Sequence, residues 1–202
     1  RSSSTALFII GTMNILIICG SLNRNSYTRV LCHTLLQNLS IGLSCQATVW
    51  DLQRQALPFH DPAYHHAAPE ALPVEVGEFV EQVIQADAVV FASPIYHNSF
   101  SGVLKNAIDH LTIDVMKHKP VGLISHGGNR SPQAVDHLRI IMRGLHALAI
   151  PSQVCTSHVD FMQEEDEIAI SSENILQRIN LFSLELMQYT TLFSAYKTKL
   201  AT

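Results

Sequence analysis

Gly20-Ser21-Leu22-Asn23-Arg24-Asn25-Ser26 separates a short apolar run from a segment with helical hydrophobic spacing. At a helix start the first backbone N–H groups have no intrahelical acceptor and the helix dipole presents its positive end, so an anion is favoured there. Ser21 and Ser26 add hydroxyl donors and Arg24 adds charge, a set that suits a phosphate monoester. The spacing is neither G-x-G-x-x-G nor G-x-x-x-x-G-K-[ST], which disfavours a Rossmann dinucleotide site and nucleoside triphosphate chemistry. The same residues also read as an ordinary capped helix, with Ser26 as N-cap and the Asn and Gly residues serving the turn. Taken alone, the loop leaves both readings open.

A second concentration of chemistry is Ser93-Pro94-Ile95-Tyr96-His97-Asn98-Ser99-Phe100-Ser101-Gly102. Proline stiffens such a connection, Tyr96 or Phe100 could wall a flat ring, and backbone N–H groups could meet heteroatoms along its edge. Phe100 also reads as a plain cap on the core. A third stretch, Ser125-His126-Gly127-Gly128, lets the backbone approach a ligand closely because two successive residues lack Cβ. It reads equally as a turn before the next helix.

The elements that must position these stretches follow from hydrophobic periodicity. Asn14 to Cys19, Cys45 to Trp50, Ala88 to Ala92, Pro120 to Ser125 and Gln153 to Thr156 read as five strands. Helical patterns follow Ser26, span Val74 to Gln85, Ser101 to Leu111 and Gln133 to Leu148, and run from Ser171 or Ser172 into the Leu181 to Leu192 region. Short, continuously apolar strands alternating with helices predict an α/β fold, a parallel sheet covered on both faces. Right-handed crossovers make it a doubly wound three-layer sandwich, whose ligands bind beyond the carboxyl ends of the strands. The long connection Leu57 to Pro73 is expected to cover something.

With 202 residues and 22.4 kDa, one domain over residues 13–202 is expected, preceded by an extension over 1–12, with Met13 as the natural start. Apolar residues make up 47 % of the chain and mean hydropathy is +0.17, which excludes general disorder. A formal charge of −4 without Lys/Arg clusters argues against nucleic acid as a partner. The apolar run from Ala6 to Cys19 is too short to span a bilayer, so no membrane is expected. Cys19, Cys32, Cys45 and Cys155 have no metal-ligand spacing and read as packed thiols of a cytoplasmic protein. His60, His65 and His66 read as an incidental surface cluster, and Glu164, Glu165, Asp166 and Glu167 as a solvated acidic loop before the last helix.

Taken together, Gly20-Ser21-Leu22 with Ser26, Ala92-Ser93-Pro94-Ile95-Tyr96-His97 and Gly102-Val103-Leu104-Lys105-Asn106-Ala107-Ile108-Asp109 resemble the signatures of the NADPH-dependent FMN reductase family. The nearest branch contains bacterial azobenzene and quinone reductases. Lys117 to Pro120, Gly127-Gly128, Met142-Arg143-Gly144 and Ile150-Pro151 continue the likeness in order, over roughly Asn14 to Val159.

The resemblance implies a flavodoxin-like five-stranded parallel sheet of order 2-1-3-4-5, noncovalent FMN, NADPH or NADH as co-substrate, and a homodimer or homotetramer. By position, Ser21, Asn23, Arg24, Ser26 and the helix start at Tyr27 and Thr28 fall at the phosphate end. Asn23 stands where family members often carry Arg, and Arg24 is the neighbouring candidate for that charge. Pro94, Ile95, Tyr96, His97 and Asn98 would face the isoalloxazine ring, and Ser125, His126, Gly127 and Gly128 would close its other edge. Flavin N5 carries the chemistry, so no catalytic side chain is required. The implied reaction passes hydride from the nicotinamide to FMN and electrons on to a small-molecule acceptor, such as free flavin, a quinone or an azo compound. Two alternatives stand beside it: an electron carrier or FMN-binding module without nicotinamide turnover, and a flavin reductase supplying a monooxygenase. Lys105 and Asp109, spaced to pair across one helical turn, are read as interface or structural residues.

Overall fold

The computed structural model describes residues 13–43, 45–64, 67–68, 71–164 and 167–200. The expected extension over residues 1–12, His65, His66, Glu165 and Asp166 lie outside the described residues. Five parallel strands form the sheet: β1 (Asn14–Cys19), β2 (Gln46–Asp51), β3 (Ala88–Tyr96), β5 (Pro120–His126) and β6 (Leu148–Thr156). Their spatial order is β2-β1-β3-β5-β6, the flavodoxin-like order 2-1-3-4-5 of the parallel strands, while the short β4 (Ser99–Phe100) pairs antiparallel with β3.

The period-2 geometry of each strand splits the core in two. Ile15, Ile17 and Cys19 of β1 pack toward α1 (Tyr27–Gln37) and α6 (Glu173–Leu200), where Leu31, Leu35 and Phe182 are fully buried. Leu16 and Ile18 face the other way, toward α2 (Val74–Gln85), α3 (Gly102–Asp109) and α5 (Gln133–Gly144). The interior strands bury both faces, which is why their sequences read as unbroken apolar runs. A single turn, α4 (Ile113–Met116), completes the path into β5.

Several boundaries differ from the sequence reading. β3 runs four residues past Ala92 to Tyr96, because Ser93 and Pro94 still pair with Ser125 and His126 while Ile95 and Tyr96 pair with β4. Helix α5 stops at Gly144 rather than Leu148, because His146 takes a left-handed φ of 55° and turns the chain into β6. β6 begins at Leu148, five residues before the expected start; its internal Pro151 suits an edge strand, where a missing N–H disturbs no ladder. The acidic run is not a plain loop: Glu164 ends β7 (Phe161–Glu164) and Glu167 begins β8 (Glu167–Ile170), which pair as an antiparallel hairpin. All four cysteines are free thiols, with Cys19, Cys32 and Cys45 buried.

Candidate functional site

The loop after β1 is fastened from both sides. Gly20 N–H donates to Ala92 O at 2.8 Å, and Ser101, the side-chain N-cap of α3, donates its hydroxyl to Gly20 O at 2.6 Å. A Cβ on Gly20 would stand 2.8 Å from Leu104 Cβ and 3.0 Å from Ala92 O, so only glycine permits this approach. Further on, Ser26 caps α1 by accepting from Arg29 N–H at 3.1 Å. Asn23 serves the turn: its Oδ1 accepts from Asn25 N–H at 3.2 Å, and its own N–H donates to Ser21 Oγ at 3.4 Å. Arg24 is exposed. Ser21, Ser26 and Thr28 are buried, and the N–H groups of Tyr27 and Thr28 find no acceptor among the described residues.

Arg29, which the sequence reading passed over, organises this loop. Its guanidinium donates to Asp51 Oδ2 at 2.7 Å and Gln53 Oε1 at 2.8 Å, and to the carbonyls of Asn23 at 2.8 Å and Arg24 at 2.9 Å. Hydrogen bonding to Asp51 raises the guanidinium pKa further, so its charge is permanent. Drawing the carbonyls to one side leaves the other side of the loop to N–H groups. No local pattern announces this role, because Asp51 is 22 residues away at the end of β2.

The second stretch is mostly strand. Pro94 is buried, Ile95 is half-buried, and the connection reduces to His97 and Asn98, with φ of 49° and 63°. Two successive left-handed residues make the tight hairpin turn that follows strand twist. Ser99 Oγ lies 3.0 Å from His137 Nδ1 of α5, and Ser101 N–H donates to the buried Ser93 Oγ at 2.9 Å, so both limbs of the hairpin are held. Tyr96, His97 and Asn98 stand exposed at the carboxyl edge of the sheet.

The third loop leans on the second: a Cβ on Gly127 would lie 2.7 Å from Ile95 Cδ1. Gly127 N–H donates to Thr156 O at 2.9 Å, and Ser125 is buried. The His126 ring stacks on Tyr27 at 4.6 Å between centroids, its Nδ1 is 3.0 Å from Thr156 Oγ1, and Phe161 stands edge-on at 5.4 Å. Burial lowers the His126 pKa to about 4, so the ring is neutral at physiological pH. Arg130, with φ of 55°, donates Nε to Asp160 Oδ2 at 2.8 Å. Burial would raise the Asp160 carboxyl, but Arg130 and the Ser157 N–H outweigh it and hold the pKa below the ordinary value.

On the α3 side a cavity of about 570 Å³ opens between Gly20, Leu22, Leu57, Phe59, Tyr96 and Val103. The long connection after β2 forms one wall, pinned to α3 by Asn106 Nδ2 donating to Pro58 O at 2.8 Å and by His60 N–H donating to Asn106 Oδ1 at 2.9 Å. His60 packs edge-on against His110 at 5.1 Å. Lys105 and Asp109 pair at 2.5 Å on the exposed side of α3, away from these loops' hydrogen-bond network.

A doubly wound parallel sheet in this order, with glycine-bearing loops converging over its carboxyl edge, defines a flavodoxin-like protein. In fold it is similar to an oxidoreductase from Corynebacterium diphtheriae (TM-score 0.71, 18 % identity, 89 % of this chain and 97 % of that one). It is also similar to a flavodoxin of Streptococcus pneumoniae TIGR4 (TM-score 0.56, 15 % identity, 88 % and 98 %). In sequence it is 37 % identical over 152 residues to an FMN-dependent NADPH-azoreductase of Staphylococcus aureus strain USA300, covering 75 % of this chain and 80 % of the relative. The chain belongs to the NADPH-dependent FMN reductase family, which matches residues 13–160. It is accordingly a flavin-dependent NAD(P)H oxidoreductase, with FMN as cofactor and NADPH as co-substrate.

The residues fit that cofactor: free N–H groups at the start of an 11-residue helix beside buried hydroxyls match an anionic tail.

Proposed function

We propose that the protein is an NADPH-dependent reductase of small aromatic acceptors, quinones and azo compounds among them, and that the three loops hold the flavin. The observation that carries this reading is the first turn of α1, whose Tyr27 and Thr28 N–H groups lack acceptors among the described residues, beside buried Ser21, Ser26 and Thr28. These groups would bind the phosphate, with Arg24 reaching it from the exposed rim and Asn23 shaping the turn. Pro94 to Asn98 would lie along the ring, and Ser125 to Gly128 would close its far edge. When bound, FMN supplies the hydride-accepting centre and the electrons for the second substrate. Side chains here position and exclude water. Tyr27, stacked on the neutral His126, would shield the phosphate end, and the His97–Asn98 turn would offer backbone donors.

The apolar cavity beside Tyr96 supports an aromatic acceptor, since Leu22, Leu57, Phe59 and Val103 line it. The azoreductase name of the S. aureus relative supports the same class. Phe59, 92 % exposed in the single chain, supports a homodimer or homotetramer that covers this rim. Free thiols support a reducing, cytoplasmic setting, and no described helix is long and apolar enough to cross a membrane. Residues 13–202 are taken as one domain, supported by the packing of α6 against β5 and β6.

The test is anaerobic spectroscopy of the purified protein with NADPH, then with menadione or methyl red. Flavin bands that bleach with NADPH and return with either acceptor are expected. No bleaching with NADPH would mean an electron carrier or binding module without nicotinamide turnover, and bleaching that returns only on added free FMN would mean a flavin reductase supplying a monooxygenase.

A further inference from the structure

A second cavity, about 520 Å³, lies at the opposite edge of the sheet and plays no part in the reading above. Its walls come from three places: Arg130 of the loop after β5, Ser152 and Cys155 of the edge strand β6, and Asn174, Gln177 and Arg178 of the first turns of α6. The lining is polar and basic, unlike the apolar cavity near Tyr96. Two guanidiniums face it, and they are not equivalent. Arg130 is committed to Asp160, which neutralises it. Arg178 forms no ion pair among the described residues and is exposed, so no described carboxylate compensates its charge at the cavity wall. The nearby Glu185 is turned to another task, accepting from Ser152 N–H at 2.9 Å. Amides of Asn174 and Gln177 and the hydroxyl of Ser152 supply neutral donors around the free charge, while the Ser172 hydroxyl is drawn to Asp160.

The place of this cavity matters as much as its lining. Cys155 is the register partner of Ser125, and Arg130 follows Gly127-Gly128 by two residues, so the cavity is one strand away from the loop at the proposed ring edge. Its size is within the range that holds a nucleotide-sized ligand. We propose that this cavity seats the phosphorylated adenosine half of NADPH, with Arg178 on the ribose 2′-phosphate. A free arginine is the usual means of accepting that group, since its fork matches phosphate oxygens. The site thereby selects NADPH over NADH. This placement rests on the reading that the flavin ring lies against Gly127-Gly128.

The experiment has two arms on the FMN-loaded protein. Steady-state kinetics compare NADPH with NADH in wild type, Arg178→Ala and Arg178→Lys. Arg178→Ala should raise the KM for NADPH tenfold or more, leave kcat and the KM for NADH within twofold, and be partly rescued by Arg178→Lys. Calorimetry with 2′-AMP, 5′-AMP and inorganic phosphate reads the cavity directly: wild type should bind 2′-AMP more tightly than either of the others, and Arg178→Ala should lose that preference. An equal change for both nicotinamides, no change for either, or 2′-AMP binding that is absent in wild type or intact in Arg178→Ala overturns the proposal. Failure to oxidise either nicotinamide would overturn the reductase reading instead, and the 2′-AMP arm would still decide the cavity.

Discussion

Arg29 and Asp51 join the loop after β1 to the end of β2 through an ion pair of 2.7 Å, with 11 % and 9 % of the two side chains exposed. The pair is sequestered enough for its geometry to matter, and each partner has a second duty. Asp51 Oδ1 accepts from Gln53 N–H at 3.0 Å, while Arg29 holds the Asn23 and Arg24 carbonyls. Neutralised by Asp51, Arg29 orients the loop proposed to hold the phosphate more than it charges it.

Arg29→Ala should therefore destabilise the flavin-free protein by about 3 kcal/mol, the scale for breaking a sequestered pair by removing one partner. FMN affinity should fall at least tenfold. Arg29→Lys keeps the charge but not the planar fork, and should recover little of either. Urea unfolding and FMN titration measure both effects. Full recovery by lysine would show that charge, not orientation, is what the loop needs.

Ser26→Ala removes the α1 cap, at a cost of about 1 kcal/mol in stability. In the wild type, FMN should bind at least ~100-fold more tightly than riboflavin, because two charge-assisted hydrogen bonds of ~1.5 kcal/mol each already supply that ratio. Ser26→Ala and Arg24→Ala should narrow the ratio by weakening FMN alone. Fluorescence titration with both flavins checks this, and equal affinities would reduce the loop to a helix cap.

Gly20→Ala forces a methyl group against Leu104 Cβ and Ala92 O, neither of which is a flexible side-chain tip. The expected cost is about 1 to 3 kcal/mol, with weaker FMN binding because β1, β3 and α3 all meet there. Thermal unfolding of the variant with and without FMN separates the two effects. An unchanged melting temperature in both states would contradict the close packing.

His126 has a folded pKa of about 4, lowered by burial from an ordinary 6.5. The folded state thus favours the neutral ring. Its contribution to stability is whole above pH 6.5 and is lost as pH falls toward 4. Asp160, held below its ordinary value of 3.8, weakens the fold only at still lower pH. Urea midpoints at pH 7.5, 5.5 and 4.5 should decline in the wild type and decline less in His126→Phe. Parallel declines would assign the acid sensitivity to other groups.

His97→Ala should change turnover while shifting the stability of the flavin-free protein by less than about 1 kcal/mol. The residue is exposed, and its left-handed φ of 49° is a backbone cost that either side chain bears. Chemical denaturation and NADPH-driven dye reduction measure the two quantities. Unfolding of the variant with unchanged turnover would make His97 structural.

The architecture was legible in the chain because short, continuously apolar runs such as Asn14 to Cys19 and Pro120 to Ser125, alternating with helical patterns, suit central parallel strands, and the residue types of three loops at strand ends marked stretches that the fold brings together at the carboxyl edge of the sheet. Local patterns reached that far because strand burial and helix capping are short-range properties. What the tertiary structure alone decided are the relations between distant positions. Pro94 and Tyr96 became strand because β5 and β4 lie alongside them, which overrides the turn signal of proline. The ring stack of Tyr27 on His126 and the clamp of Arg130 on Asp160 join residues 99 and 30 positions apart. Arg29 is the plainest case: as one more polar residue on a helix it carried no signal, and its role exists only because parallel pairing of β1 with β2 brings Asp51 beside the loop.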